Sequence, residues 1–411
     1  MFTFSVLDDM IFSILSNLYL IEMFGFFNCR MKLLVLHSKN LDMNYIITGK
    51  NYTSPLINKF KDDKNVIVLT DRELQESDIR FTNDDKIYCP DETSVPFVNE
   101  RLPKYSFDKL ETVKNKYQCR IILKDLFPEF YFKSVNLDQL AKVQLPKGKK
   151  FIIKPQKGFF GVGVREITSN DDLSKVAYEI KKQIDENIKM FSEEVFTAEE
   201  FIIEEFIYGE EYSFDVFYDE QGEPVLTSFC RHPLPEHKEY FHLLYYTGKE
   251  IYETFKEQIL SIFREFNKTM KMKNMPLHSE FKEYKGKLYP IEFNVPRFGG
   301  YALADLPYYA FGENPFEHYF NGTRPDWENI FATEDKKYGW VLCYNGTNVD
   351  VENSEPDYNK LQKDLGEVLH LSKLDYTKNP VFALAYIKLQ NDKEIERILS
   401  LDFNDYFTPK N

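Results

Sequence analysis

Between residues 277 and 300 the chain reads LHSEFKEYKGKLYPIEFNVPRFGG, and several of these side chains have the types and spacing for chemistry on phosphate. Side chains two apart on a strand share a face, so Glu292 and Asn294 point the same way. A fold-back about Gly286 sets Glu280 opposite Glu292, with Cβ atoms ~5 Å apart. Two carboxylates that close repel unless a proton or cation sits between them. Oxygen ligands, few in number and held on a rigid sheet, suit Mg2+ shared with the phosphates of a nucleotide. Arg297 follows, and Gly299 and Gly300 let a substrate approach the backbone. The bland alternative is a solvated strand face with a Gly-Gly turn, which would not need E-x-N-x-x-R-x-G-G beside an apolar strand.

A second segment, FIIKPQKGFFGVGV over residues 151–164, places Gly158, Gly161 and Gly163 between two strand-like runs. A glycine-rich turn with free N–H groups can wrap an anion, and Lys154 and Lys157 add charge beside it. The spacing is neither a Walker A loop nor a dinucleotide fingerprint, and a structural hairpin bend could use the same glycines. The crowding stands out because the chain has only 17 Gly in 411 residues, about 4% against a usual ~7%. A third segment, FIIEEFIYGEEYSFDVFYD over residues 201–219, has two acidic pairs around Gly209. That pattern suits a hinge, although Glu204 or Glu210 could equally be solvated.

These side chains need a framework, and the pattern around them is α/β. Residues 44–48 and 65–70 are short apolar strands with a helix over 55–61 between them, a small Rossmann-type unit without its G-x-G-x-x-G fingerprint. Pro90, Pro96 and Pro103 mark a linker-rich stretch before a helix over 107–126. Strands are expected over 151–154 and 164–168, a solvated helix over 171–190, and one long hairpin over 200–229. Residues 250–272 carry Ile251, Phe255, Ile259, Ile262, Phe263 and Phe266 at helical spacing, a stripe for core packing. The last segment has strands near 338–344 and 381–389 and a helix near 392–400.

Composition bounds the rest. A chain of 411 residues, 43% hydrophobic and with net charge −14, has material for two or three domains and argues against a general nucleic-acid or anionic-membrane binder. Five scattered cysteines without a C-x-x-C pair suggest a reducing, cytoplasmic setting. Residues 10–27 are rich in apolar and aromatic side chains, but polar interruptions and the preceding Asp8 and Asp9 favour an amphipathic extension, or a start codon assigned too early, over a membrane span or signal peptide.

Taken in order, the segments resemble the ATP-grasp superfamily: Lys-Pro with a glycine-rich loop, E-E-f-i-x-G-x-E, then h-x-E followed about a dozen residues later by E-x-N-x-x-R. Asn115-Lys116 with Arg120 resembles the N-K-x-x-x-R stretch that opens the fold in many relatives. The resemblance implies an α/β (α+β) ATP-grasp fold with a short Rossmann-like N-terminal lobe and a small C-terminal α+β domain. Its divisions would be an extension over 1–42, the Rossmann-like lobe over 43–110, the ATP-grasp domain over 111–325 with a lid subdomain at about 148–204, and an α+β segment over 326–411.

The resemblance also implies roles. Lys116 and Lys154 would contact ATP phosphates, and the loop Gly158, Phe159, Phe160, Gly161 to Gly163 would close over them. The main chain of Glu205, Phe206 and Ile207 would bind adenine with help from Glu204, and Glu211 would hold the ribose. Glu280, Glu292 and Asn294 would bind Mg2+, with Mn2+ as a substitute, and Arg297 would steady the transferring phosphoryl group. Phe159-Phe160 makes the lid bulkier than lids with serine or more glycine. Arg231, His237, Lys238 and His242 compete for the role of a further phosphate cation. Tyr240, Phe241, Tyr245, Tyr246 and Tyr301 could line the pocket or sit in the core. The implied activity is ATP-dependent carboxylate–amine (or thiol) ligation through an acyl phosphate. The rival is an ATP-binding regulatory or scaffold protein without turnover. Expected partners are small-molecule carboxylates and amines, with no nucleic acid, no stable membrane insertion, and a homodimer as an allowed assembly.

Overall fold

The apolar runs NYIIT and VIVLT lack alternation, as strands covered on both faces require. In the computed structural model, which describes residues 43–49, 52–90, 92–158, 162–187 and 200–410, they become β1 (Asn44–Thr48) and β2 (Val66–Thr70). With β3 (Lys86–Tyr88) they form a parallel sheet in the order β2-β1-β3. One face packs Tyr45, Ile47 and Leu69 on Leu74, Val95 and Val98. The other packs Ile46 and Val66 on Leu56, Phe60, Phe298 and Phe316, which anchors the lobe to the later chain. The extension 1–42, its apolar stretch 10–27 and Cys29 lie outside the described residues. Among the described residues no helix is long and apolar enough to cross a membrane, and Cys89, Cys119, Cys230 and Cys343 are buried.

The single helix expected over 107–126 is two, Lys104–Lys114 and Lys116–Leu123. Asn115 separates them in an extended conformation and caps the second helix, its side chain accepting from the Gln118 amide at 3.0 Å. Capping residues of this type satisfy an otherwise orphan helix N–H. The break places Lys116 at the first turn of its helix.

An antiparallel sheet follows, in the order β4-β7-β5-β6: β4 (Phe132–Asn136), β5 (Lys150–Pro155), β6 (Arg165–Thr168) and β7 (Glu200–Glu205). Phe151, Ile153, Phe201 and Ile203 pack there against Ile180 and Ile184 of the helix Leu173–Asn187. The hairpin expected over 200–229 is therefore corrected. β7 pairs with β4 and β5, and the hairpin is β8 (Glu210–Tyr218) with β9 (Pro224–His232). Gly209 makes the transition between the two sheets, because a Cβ there would lie 1.7 Å from the Glu283 carbonyl oxygen.

The second large sheet is antiparallel, with eight strands in the order β12-β11-β8-β9-β10-β13-β16-β15. It contains β10 (Leu244–Thr247), β11 (Met275–Tyr284), β12 (Lys287–Asn294), β13 (Lys337–Tyr344), β15 (Glu367–Lys373) and β16 (Val381–Leu389). Alternation on β8 sends Tyr212, Phe214, Val216 and Tyr218 into the core with Phe255, Ile259, Phe263 and Phe266 of the helix Lys249–Met270. Each such burial contributes about 1.5–3 kcal/mol, and Phe263→Ala would cost about 3–5 kcal/mol. The opposite face of β8 keeps Glu211, Ser213 and Asp215. The C-terminal strands β13, β16 and β15 extend this same sheet through the β10–β13 pairing. A small ladder of β14 (Ser354–Pro356) and β17 (Phe407–Pro409) closes the C-terminal end. β15 and the helix Tyr358–Leu365 lie outside the elements expected from the sequence.

Candidate functional site

The hairpin of β11 and β12 turns through Lys285 and Gly286, both with positive φ, and its register places Glu280 directly opposite Glu292. Asn294 lies on the face of Glu292 and donates its Nδ2 to Glu292 Oε1 at 3.0 Å. Lys116 reaches the same carboxylate, Nζ to Oε2 at 2.9 Å, and donates to the Gly158 carbonyl at 3.0 Å. Lys116 is held in place by Gln156, whose carbonyl accepts the Lys116 amide at 2.9 Å and whose side chain accepts from Asn115 Nδ2 at 3.1 Å. The buried Gln156 side chain also donates to Ser134 Oγ and to the Phe201 carbonyl, which stitches β4, β7 and the glycine-rich loop together.

Lys154 is 5% exposed. Its Nζ lies 2.6 Å from Glu204 Oε1 and donates to the Ile291 carbonyl at 3.3 Å, so it spans from β5 to strand β12. Arg120 takes the other Glu204 oxygen at 2.8 Å. Burial would raise the Glu204 carboxyl, but Arg120 and Lys154 outweigh it and bring it down to about 2. In this structure both Glu204 oxygens are engaged, one by each cation, and Glu204 fixes Lys154. Of the expected adenine segment, the Glu205 and Phe206 amides donate to the carbonyls of Tyr131 and Lys150, both at 2.9 Å. The Ile207 amide has no backbone partner among the described residues. Glu205 pairs with Lys149, and the Phe206 ring lies under Lys150. Glu211 faces inward and accepts from His232 Nδ1 at 2.9 Å. Its carboxyl, which burial would raise, is lowered by that bond and by the charge of His232.

Arg297 is held by Glu92, which accepts from Arg297 Nε at 3.0 Å and from Lys114 Nζ at 3.3 Å. Burial pushes the Glu92 carboxyl up, and the two cations outweigh it to leave it at about 2. The segment read as linker thus supplies a site residue; a lone Glu among prolines gave no periodic signal. Two more inward residues were missed, Asp215 and His278. His278 lies two residues before Glu280 and on its face, so strand alternation was the signal that could have found it.

Gly158 is half-buried beside Lys116, and Gly163 is buried with positive φ against Pro155 and Phe201. Phe159, Phe160 and Gly161 lie outside the described residues. The four competing cations have different surroundings. Arg231 pairs with Glu210, His237 lies 3.7 Å from Glu239, and Lys238 is exposed in a short turn. His242 hydrogen-bonds Tyr245 at 3.0 Å and is held toward its neutral form by burial and by the adjacent His232. Among the aromatic candidates Tyr240, Tyr245 and Tyr246 are core residues, whereas Phe241 is 42% exposed and Tyr301 half-buried.

Among the described residues no group of three or more His, Cys, Asp and Glu side chains gathers as a self-contained metal cage. Two facing carboxylates and an amide oxygen suit a cation that completes its shell with phosphate and water, as Mg2+ does. The Glu280 carboxyl, despite burial, is kept lowered by His278, so it remains an anionic oxygen donor. The residues present fit the metal.

Residues 148–305 match the sequence profile of the ATP-grasp domain. No curated protein sequence matches the chain significantly. In structure the chain is similar to the L-amino acid ligase from Bacillus licheniformis, with TM-score 0.62 and 15% identity over 90% of this chain and 98% of that one. It is similar to the phosphoribosylamine–glycine ligase from Thermotoga maritima, with TM-score 0.58 and 13% identity over 90% and 98%. For the N5-carboxyaminoimidazole synthetase from Staphylococcus aureus, complexed with ADP, the TM-score is 0.55 with 13% identity over 87% and 96%. Identities this low establish the fold.

Proposed function

This chain carries an ATP-grasp domain, and from that premise we propose that it is an ATP- and Mg2+-dependent ligase that joins a carboxylate to an amine or thiol. The observation that carries the reading is the register of Glu280 opposite Glu292 with Lys116, Lys154 and Asn294 converging on the same strand pair.

In the proposed reaction a substrate carboxylate oxygen attacks the γ-phosphorus of ATP, forming an acyl phosphate as the bond to ADP breaks. An amine or thiol then attacks the acyl carbon, loses its proton, and phosphate leaves. Such transfer needs alignment and charge neutralisation more than acid–base groups. Lys116 and Lys154 would bind phosphate oxygens, and Arg297, released from Glu92, would face the transferring group. Glu280, Glu292 and Asn294 would hold Mg2+, which supplies charge neutralisation at the phosphates when bound. The Ile207 amide is available to the adenine edge, and Glu211 would face the ribose.

The reading is tested by following ADP release over a panel of acids and amines. Amino acids come first, because the similar Bacillus licheniformis protein is an L-amino acid ligase. A thermal-shift screen with a non-hydrolysable ATP analogue and Mg2+ narrows the panel, since a ligand of the folded state raises its stability. Folded, ATP-bound protein that releases no ADP with any pair would refute the ligase reading and leave a nucleotide-binding protein without turnover.

A further inference from the structure

Asp215 sits near the middle of β8, 2% exposed, on the face that carries the site. Its Oδ1 accepts two bonds from different elements: His278 Nδ1 on β11 at 2.6 Å, and the Gly299 amide in the turn after β12 at 3.0 Å. The second nitrogen of that imidazole, Nε2, lies 3.7 Å from Glu280 Oε1. The Asp215 main chain is pinned as well, its carbonyl accepting from Thr227 Oγ1 at 3.1 Å. One buried oxygen thus joins Gly299, two residues beyond Arg297, to His278, two residues before Glu280.

A carboxylate at such a position is costly to bury unless a cation and further donors meet it. A hydroxyl or amide would satisfy the Gly299 N–H at lower cost. What the carboxylate adds is a fixed orientation and a charged partner for His278. The turn also has little slack on its own side, because a Cβ at Gly299 would meet Leu303 atoms at 3.1 Å. Groups that orient a metal-binding side chain from behind typically change metal affinity or activity 10–100-fold when removed.

We propose that Asp215 is a positioning residue that aligns two halves of the site at once, directing Glu280 toward the metal through His278 and holding the Arg297 turn through the Gly299 amide. The inference rests on the ligase reading, because it takes Glu280 as a metal ligand and Arg297 as the cation at the transferring group.

The test uses the full chain with Mn2+ and the non-hydrolysable analogue AMPPNP as probes. Free Mn2+ is read by electron paramagnetic resonance and nucleotide binding by calorimetry. Asp215→Asn keeps the shape and can still accept from Gly299. It is expected to weaken Mn2+ binding to the nucleotide complex about 10–100-fold, while AMPPNP affinity in EDTA stays within about twofold. Combining it with Glu280→Gln should give a metal effect smaller than the sum of the single effects, because both changes act through one ligand. Wild-type Mn2+ affinity in Asp215→Asn, or full additivity with Glu280→Gln, would overturn the proposal. If Asp215→Asn lacks a cooperative thermal transition, His278→Gln, which leaves Asp215 on Gly299, is read in the same way: weakened Mn2+ binding supports the metal half and unchanged binding overturns it. Wild-type protein that binds no Mn2+–AMPPNP overturns the ligase reading and this inference together. Binding that survives unchanged in both variants overturns this inference alone.

Discussion

The ammonium of Lys116 lies 2.9 Å from the Glu292 carboxylate, so a cation expected at phosphate and an anion expected at metal satisfy each other. Separating them costs less when phosphate takes the lysine and a divalent cation takes the carboxylate in the same event. Nucleotide and Mg2+ should therefore bind with positive coupling, the linkage being reciprocal. Calorimetry is expected to show ATP binding at least about tenfold tighter with Mg2+ than with EDTA, an energy of ~1.4 kcal/mol. In Glu292→Gln this coupling should largely vanish and metal-dependent turnover should be lost, with the fold retained. Equal coupling in the variant would contradict the assignment.

Glu204 holds both Arg120 and Lys154 with almost no solvent contact. Glu204→Gln leaves two cations facing a neutral amide, and breaking a buried pair in this way costs about 3–5 kcal/mol. Urea unfolding at neutral pH measures it. The pH dependence has a defined sign. The Glu204 carboxyl is lowered from 4.5 to about 2, so its stabilisation is complete above the unfolded value and is lost as pH falls through that window toward the folded value. The acid-side slope of wild-type stability between these values should flatten in the variant.

Asp305 behaves in the opposite sense. It is fully buried, accepts from Ser54 Oγ at 2.5 Å, and its Oδ1 has no hydrogen-bond partner among the described residues. Burial raises it from 3.8 to about 8. The unfolded chain ionises this group first, so its penalty grows as pH rises from the lower value and is complete above the higher. Asp305→Asn removes the ionisation and can keep the Ser54 bond. Its melting temperature should exceed that of wild type by several degrees near pH 8, with little difference near pH 4. A variant less stable at both would reject this account.

At the junction of the two large sheets, Gly209→Ala would drive a methyl group into the Glu283 carbonyl. The backbone must shift, at a cost of about 1–3 kcal/mol. Because the same junction follows the Glu205–Ile207 segment, the Michaelis constant for ATP should rise together with the loss of stability. A melting curve and a nucleotide titration on the same sample check both effects.

Strand alternation and a fold-back about Gly286 made the Glu280–Glu292 pairing and the Asn294 contact legible in the sequence, because both are consequences of local geometry. The helix Lys249–Met270 was equally legible from its apolar period. Glu92 was not, since its partners lie 205 residues away at Arg297 and 22 away at Lys114, and a Pro-flanked acid has no local signature. The strand Glu200–Glu205 was merged with the hairpin after it for a related reason. Both segments have strand-like sequences, and the change of sheet shows in their long-range pairing and in the close approach of Gly209 to Glu283. The pairing of Glu204 was not legible because its neutralising cations, Arg120 and Lys154, come from two other elements. β15 escaped notice because an edge strand with a half-exposed pattern lacks the apolar contrast that marks its neighbour β16.

The pairing of β10 with β13 has a consequence for dissecting the molecule. A cut near residue 325 would not trim an appendage. It would strip β10 of its neighbour and expose a raw row of amide and carbonyl groups, bordered by Tyr245 and Trp340's former contact surface, to any other chain in solution. Fragments ending there should self-associate through that border, whereas the intact chain presents the half-polar β15 at its rim.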